Sequence, residues 1–82
     1  MIRFEQGDIL AVEKISEPVL VVSKNFFNKT EQAIVCPISR EALDDPLHID
    51  IKTDEITGKV MCEHMKLIDL RYRGYKIVSL VG

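Results

Sequence analysis

The sequence predicts an all-β protein folded as a small, SH3-like barrel, and three observations carry that prediction. Apolar residues come in short runs rich in β-branched side chains, such as Val19-Leu20-Val21-Val22, Ala33-Ile34-Val35-Cys36 and Ile77-Val78, which suit strands better than helices. The runs are joined by short connections punctuated by Gly, Asn, Asp, Ser and Pro, the spacing of strands in a small sheet. No amphipathic stretch is longer than a helical turn or two, so no helical layer is available to cover a sheet. An OB-like barrel is the alternative that the same pattern allows.

At the N-terminus, Ile2 and Phe4 alternate with Arg3 and Glu5, as in a short lead-in strand, and Gly7-Asp8 signals a turn. The first full strand is expected over Ile9–Lys14. Only Glu13 to Glu17 separates it from the next, a hairpin-length loop that makes the two strands antiparallel neighbours. The second strand, Pro18–Ser23, is apolar on both faces and so belongs inside the sheet, with function expected at its ends. Ser23 is placed to cap a helical turn over Lys24–Asn28 that returns Phe26 or Phe27 to the sheet. Both rings could stack on bases, but their spacing reads first as core.

The third strand is expected over Gln32–Ile38, with Pro37 confining its end to an edge or bulge. An acidic loop, Glu41–Pro46, leads to the clearest alternation in the chain. Leu47, Ile49 and Ile51 fall on one face, read as core, and His48, Asp50 and Lys52 on the other, read as surface. A polar turn over Thr53–Gly58 precedes a strand at Lys59–Cys62. Leu67-Ile68-Asp69-Leu70 suits a single 3₁₀ turn, and Tyr75–Val81 closes the chain as a last strand.

Eighty-two residues make one domain near the size at which a core has only a few kcal/mol to spare, so a compact β fold or an oligomer is expected. The longest apolar run is far below the ~20 residues of a membrane span, and the N-terminus lacks a signal-peptide core, which points to the cytoplasm. In a reducing compartment Cys36 and Cys62 stay thiols and serve as small apolar side chains. Cys62-x-His64 is half of a metal site at most, with only His48 and Cys36 left to complete it. No metal or other cofactor is expected.

The net charge of −2 is unevenly spread, with an acidic segment at 41–55 and a basic one at 64–82. In the basic segment Lys66, Arg71, Arg73 and Lys76 interleave with Tyr72 and Tyr75. That pattern suits single-stranded nucleic acid, where rings stack on bases and cations follow phosphates; it also suits a solvated outer face.

Four spaced blocks carry a resemblance: Gly7-Asp8-Ile9-Leu10; Pro18 to Ser23 followed by Asn25-Phe26-Phe27-Asn28; Val35-Cys36-Pro37-Ile38-Ser39; and Met61-Cys62-Glu63-His64-Met65-Lys66-Leu67-Ile68-Asp69. In this order they resemble the PemK/MazF family of toxins from toxin–antitoxin pairs. The resemblance implies an SH3-like barrel, a homodimer, metal-independent cleavage of single-stranded RNA and a cognate antitoxin. In such enzymes the ribose 2′-OH attacks the adjacent phosphate, helped by an arginine and a Ser or Thr hydroxyl; a fixed guanidinium stabilises the charge that develops.

Carried onto this chain, the hydroxyl falls on Ser39 and the arginine position on Glu17. A carboxylate there repels phosphate and could serve only as a base. Arg40, Lys14 and Arg3 are the candidate replacement cations, and His64 a candidate acid or base near neutral pH. The loop before Glu17 is shorter than in relatives, which also tend to continue past the position of Gly82 into a C-terminal helix. The competing expectation is a non-cleaving member of the fold that binds an antitoxin, a nucleic acid or a protein target such as gyrase.

Overall fold

The computed structural model describes residues 4–40, 46–53 and 56–80, with side chains up to residue 78. The order of elements is β1 (Asp8–Val12), β2 (Val19–Val21), α1 (Asn25–Asn28), β3 (Gln32–Ser39), β4 (His48–Lys52), β5 (Thr57–Met61), a 3₁₀ turn (Cys62–His64), β6 (Lys66–Asp69) and β7 (Tyr75–Leu80). The strands form one sheet in the order β4-β5-β3-β2-β1-β7, with β6 added on β3, and every pairing is antiparallel. This is the mostly antiparallel, barrel-like sheet that the sequence predicts, left open between β4 and β7 among the described residues.

Both faces of the sheet are apolar, which explains why the central runs are continuous rather than alternating. Successive side chains of a strand point to opposite faces, so Leu10, Val21 and Val35 join Phe4, Val12, Val19, Ala33, Ile68 and Leu70 on one side. Ile9, Cys36 and Ile38 join Ile51, Ile56 and Val60 on the other. β2 does lie inside the sheet, but β3 is the strand with most neighbours: it pairs with β2, β5 and β6. Pro37 accordingly sits in the interior, opposite Val19, not at an edge. The Ile38 N–H bonds Pro18 O on the β2 side, so by the period of two the N–H that proline lacks would point the other way, where β3 passes from β6 to β5. The proline therefore interrupts no ladder.

Several expectations are corrected. Leu67-Ile68-Asp69-Leu70 is not a 3₁₀ turn: Lys66–Asp69 is strand β6, because Ile68 and Leu70 reach the core while β3 supplies the hydrogen-bonding partner. The 3₁₀ turn comes earlier, at Cys62–His64. Ser23 does not cap α1; Lys24 holds the N-cap position without a side-chain bond. The buried Ser23 hydroxyl instead donates to Asn28 Oδ1 and accepts the Ile34 N–H at 3.1 Å, while Asn28 Nδ2 donates to Ser23 O at 3.1 Å. This buried clasp fixes α1 to β3. Phe26 is 84% exposed, against the reading of both rings as core, and only Phe27 turns inward. On β4, an end strand of the sheet, Ile51 is core and Ile49 is exposed, as is Leu47 just before the strand.

Phe4 is buried and packs edge-on against Tyr75 at 5.6 Å between ring centroids, without forming part of a strand; residues 1–3, and the acidic positions 41–45, 54 and 55, lie outside the described residues. No helix among the described residues is long and apolar enough to cross a membrane.

Candidate functional site

The hairpin connection between β1 and β2 builds the site. Lys14 adopts a left-handed backbone (φ 68°), and the Ile15 N–H bonds back to Val12 O at 3.1 Å, so the chain reverses tightly at the end of β1. β2 then pairs with β3 with Val19 opposite Pro37 and Leu20 opposite Cys36. Extending that register by two residues brings Glu17 opposite Ser39, which the sequence separation does not announce. The Ile38 N–H bond to Pro18 O at 2.9 Å continues the pairing toward that point.

Two clefts flank this connection. The first, of about 650 Å³, is lined by Ile15, Ser16, Glu17 and Pro18 on one side and by Ile38, Ser39, Arg40, Ile56 and Thr57 on the other, with Ala11 and Val78 completing it. The second, of about 460 Å³, is lined by Lys14, Ile15, Ser16, Glu17, Pro37, His64 and Lys66. Residues 15–17 line both, so Glu17 is common to a cleft holding Arg40 and a cleft holding Lys14, His64 and Lys66. Ser39 and Glu17 are half-buried; Arg40, Lys14, His64 and Lys66 are exposed. β3 meets β5 closely here: a methyl group on Gly58 would stand 2.9 Å from Ser39 O, so only glycine lets the strands approach this far.

The basic segment divides. Lys66 reaches the second cleft, but Arg71, Arg73 and Lys76 line neither. Arg71 is committed to Asp69 through two parallel contacts, Nε to Oδ1 at 3.1 Å and Nη2 to Oδ2 at 2.7 Å, and its guanidinium lies 5.4 Å from the Tyr72 ring centroid. The Arg71 hydrogen bonds hold the Asp69 carboxyl down at about 2, and Asp69 in turn raises Arg71. Arg73, in the bend before β7, and Lys76, on β7 opposite Ala11, are exposed.

One contact beside the site was missed. His48, expected at the surface, is half-buried, and its Nε2 lies 2.6 Å from Glu63 Oε2, tying β4 to the 3₁₀ turn that carries His64. Partial desolvation works against the Glu63 carboxylate, but its own backbone N–H and His48 outweigh that and lower it. The only available signal was β4 and β5 pairing with His48 opposite Met61, which no local pattern reveals. Among the described residues, no group of three or more His, Cys, Asp or Glu side chains is arranged to hold a metal.

The model of the PemK-like, MazF-like toxins of type II toxin–antitoxin systems matches residues 5–81. The chain belongs to this family. Crystal structures from Deinococcus radiodurans share the PemK/MazF fold seen here. Form I of MazE–MazF superposes with a TM-score of 0.86 at 21% identity, over 96% of this chain and 80% of that chain. Form I of MazF alone gives 0.82 at 19% identity, over 96% and 82%. At such identities the likeness speaks for the fold. A search of curated protein sequences returned no match.

Proposed function

We propose that this PemK/MazF-family chain is the toxin of a toxin–antitoxin pair and cuts single-stranded RNA by internal attack of a ribose 2′-OH on the neighbouring phosphate, with no metal ion required. The observation that carries this reading is the register that brings Glu17 opposite Ser39 in a cleft also lined by Arg40. A guanidinium and a hydroxyl are the groups this chemistry uses, and a carboxylate beside them can serve as its base. Glu17 takes the 2′-OH proton, Arg40 stabilises charge on the phosphorane, and Ser39 hydrogen-bonds a phosphate oxygen. His64, which lines the adjoining cleft with Lys14 and Lys66, is assigned the proton that the leaving 5′-oxygen takes up.

Arg71, Arg73 and Lys76 then contribute long-range attraction rather than contacts at the scissile bond. The MazE–MazF complexes among the similar structures support an antitoxin as partner, and a homodimer in the cytoplasm is the working form we propose.

The experiment is digestion of a mixed single-stranded RNA pool in the presence of a chelator, with the ends analysed for 2′,3′-cyclic phosphate. Arg40→Ala should reduce the rate about 10²- to 10³-fold, the usual effect of losing one transition-state donor. No cleavage by folded wild-type protein would refute the enzyme reading. It would favour the alternative of a non-cleaving member that binds an antitoxin, a nucleic acid or a protein target. That alternative has one specific observation behind it, since Glu17 puts a negative charge in the cleft where a phosphate would lie. Glu17→Arg separates the two: a gain of cleavage from an inactive wild type shows an intact framework lacking only the charge.

A further inference from the structure

Cys36 and Cys62 meet across the sheet. β3 and β5 pair with Ser39 opposite Lys59 and Ile38 opposite Val60; two residues further along each lie Cys36, on β3, and Cys62, where β5 gives way to the 3₁₀ turn. The packing agrees, because Cys36 belongs to the core cluster against which Cys62 packs.

Backbone directions define the kind of pair. The Ile38 N–H bonds Pro18 O toward β2, so two residues earlier the Cys36 N–H also points toward β2. The Cys62 N–H bonds Leu47 O, away from β3. Neither residue directs its N–H at the other, as in the non-hydrogen-bonded type of cross-strand pair, which in a regular ladder has Cα atoms about 4.5 Å apart. A disulfide spans about 4.4–6.8 Å between Cα atoms.

Access differs between the two thiols. Cys36 is 1% exposed, whereas Cys62 is half-buried at the start of the 3₁₀ turn, and both are free thiols. Solvent-borne oxidants therefore meet Cys62 first; burial, and after it the nearby Cys62 thiol, also push the Cys36 thiol up.

We propose that Cys36 and Cys62 form a peroxide-oxidisable dithiol in which Cys62 reacts and Cys36 resolves the product into an intrachain disulfide. The Cys62 thiolate attacks one peroxide oxygen, the O–O bond breaks, and the departing hydroxide takes up a proton to become water, leaving a sulfenic acid on Cys62. The Cys36 sulfur then attacks the Cys62 sulfur, the S–O bond breaks, and the oxygen leaves as water with the Cys36 proton. Two thiols lose two electrons, and one peroxide becomes two waters. The bridge ties β3 to the 3₁₀ turn beside Pro37 and His64, both of which line the second cleft.

The test is peptide mapping of the wild-type protein after treatment with equimolar hydrogen peroxide and alkylation of remaining thiols. The expected result is a Cys36–Cys62 linked peptide from a monomeric chain lighter by two hydrogens, returned to two alkylatable thiols by dithiothreitol. Cys36→Ala should instead accumulate a sulfenic acid at Cys62 that dimedone traps. Sulfinic or sulfonic acid at Cys62 with Cys36 still free, a bridge between chains, or two unreacted thiols would each overturn the proposal. Mapping the wild type needs no variant, so a poorly folding Cys36→Ala leaves the test intact. RNA cleavage plays no part in the readout.

Discussion

Replacing Gly58 with alanine tests how closely β3 and β5 are packed at Ser39. The new methyl would lie 2.9 Å from Ser39 O, 3.2 Å from Ser39 C and 3.1 Å from Ile38 Cγ2. Two of these three neighbours are backbone atoms held in the Ser39–Lys59 and Ile38–Val60 pairing, so relief requires strand separation rather than a rotamer change. Overpacking of this kind costs about 1–3 kcal/mol. The less flexible unfolded chain offsets about 0.4–1 kcal/mol of that. A net loss of roughly 1–2 kcal/mol lowers Tm by about 4–16 °C in a chain of this size.

Gly74 is the control. Its new methyl would meet Glu13 Oε2 at 2.9 Å, the far end of an exposed, flexible side chain that can swing aside. There the unfolded-state effect dominates, so Gly74→Ala should hold or raise Tm. Calorimetry of the two variants beside wild type decides the matter. A Gly58→Ala protein that melts at or above the Gly74→Ala protein would refute the close approach at Ser39.

Two further outcomes are expected. Asn28→Ala removes the acceptor of the buried Ser23 hydroxyl and the donor to Ser23 O; leaving those groups unpaired should cost about 1–3 kcal/mol, read as a lower urea midpoint at unchanged m-value. Asp69, held at about 2 against an ordinary 3.8, stabilises the fold above its unfolded pKa and loses that contribution as pH falls from about 4 toward 2. Wild type should therefore exceed Asp69→Asn in stability near neutral pH and converge with it in acid. The gap should be small, because the pair is exposed, and should shrink further in about 1 M salt.

Elements whose signal is local were readable from the sequence. The runs around Val19–Val21 and Gln32–Ser39 are strands because they are apolar on both faces, and the structure buries both faces. Leu67 to Leu70 misled because four residues are too few to show a period, and what makes them a strand is β3, more than thirty positions earlier in the chain. The alternation at Leu47, Ile49 and Ile51 was genuine, but whether an alternating face is covered depends on the strand's place in the sheet, and β4 lies at an end. Within the site, Ser39 and Arg40 were visible as a strand end and Glu17 as a loop residue. Their opposition follows from the β2–β3 register, a long-range quantity. The basic segment looked uniform, yet Asp69 withdraws Arg71 into a local pair, and Lys76, though opposite Ala11 on β7, is not among the residues that line either cleft.

The segment Ile15-Ser16-Glu17 lines both clefts. A segment that borders two clefts cannot shift without changing the shape of both. Substitutions within 15–17 should therefore be energetically coupled to substitutions at both Ser39 and His64. In folding stability Ser39 and His64, which line different clefts, should combine additively with each other. The three residues 15–17 thus bear on both recesses at once, and lengthening or stiffening that loop would change the two together without altering a single strand.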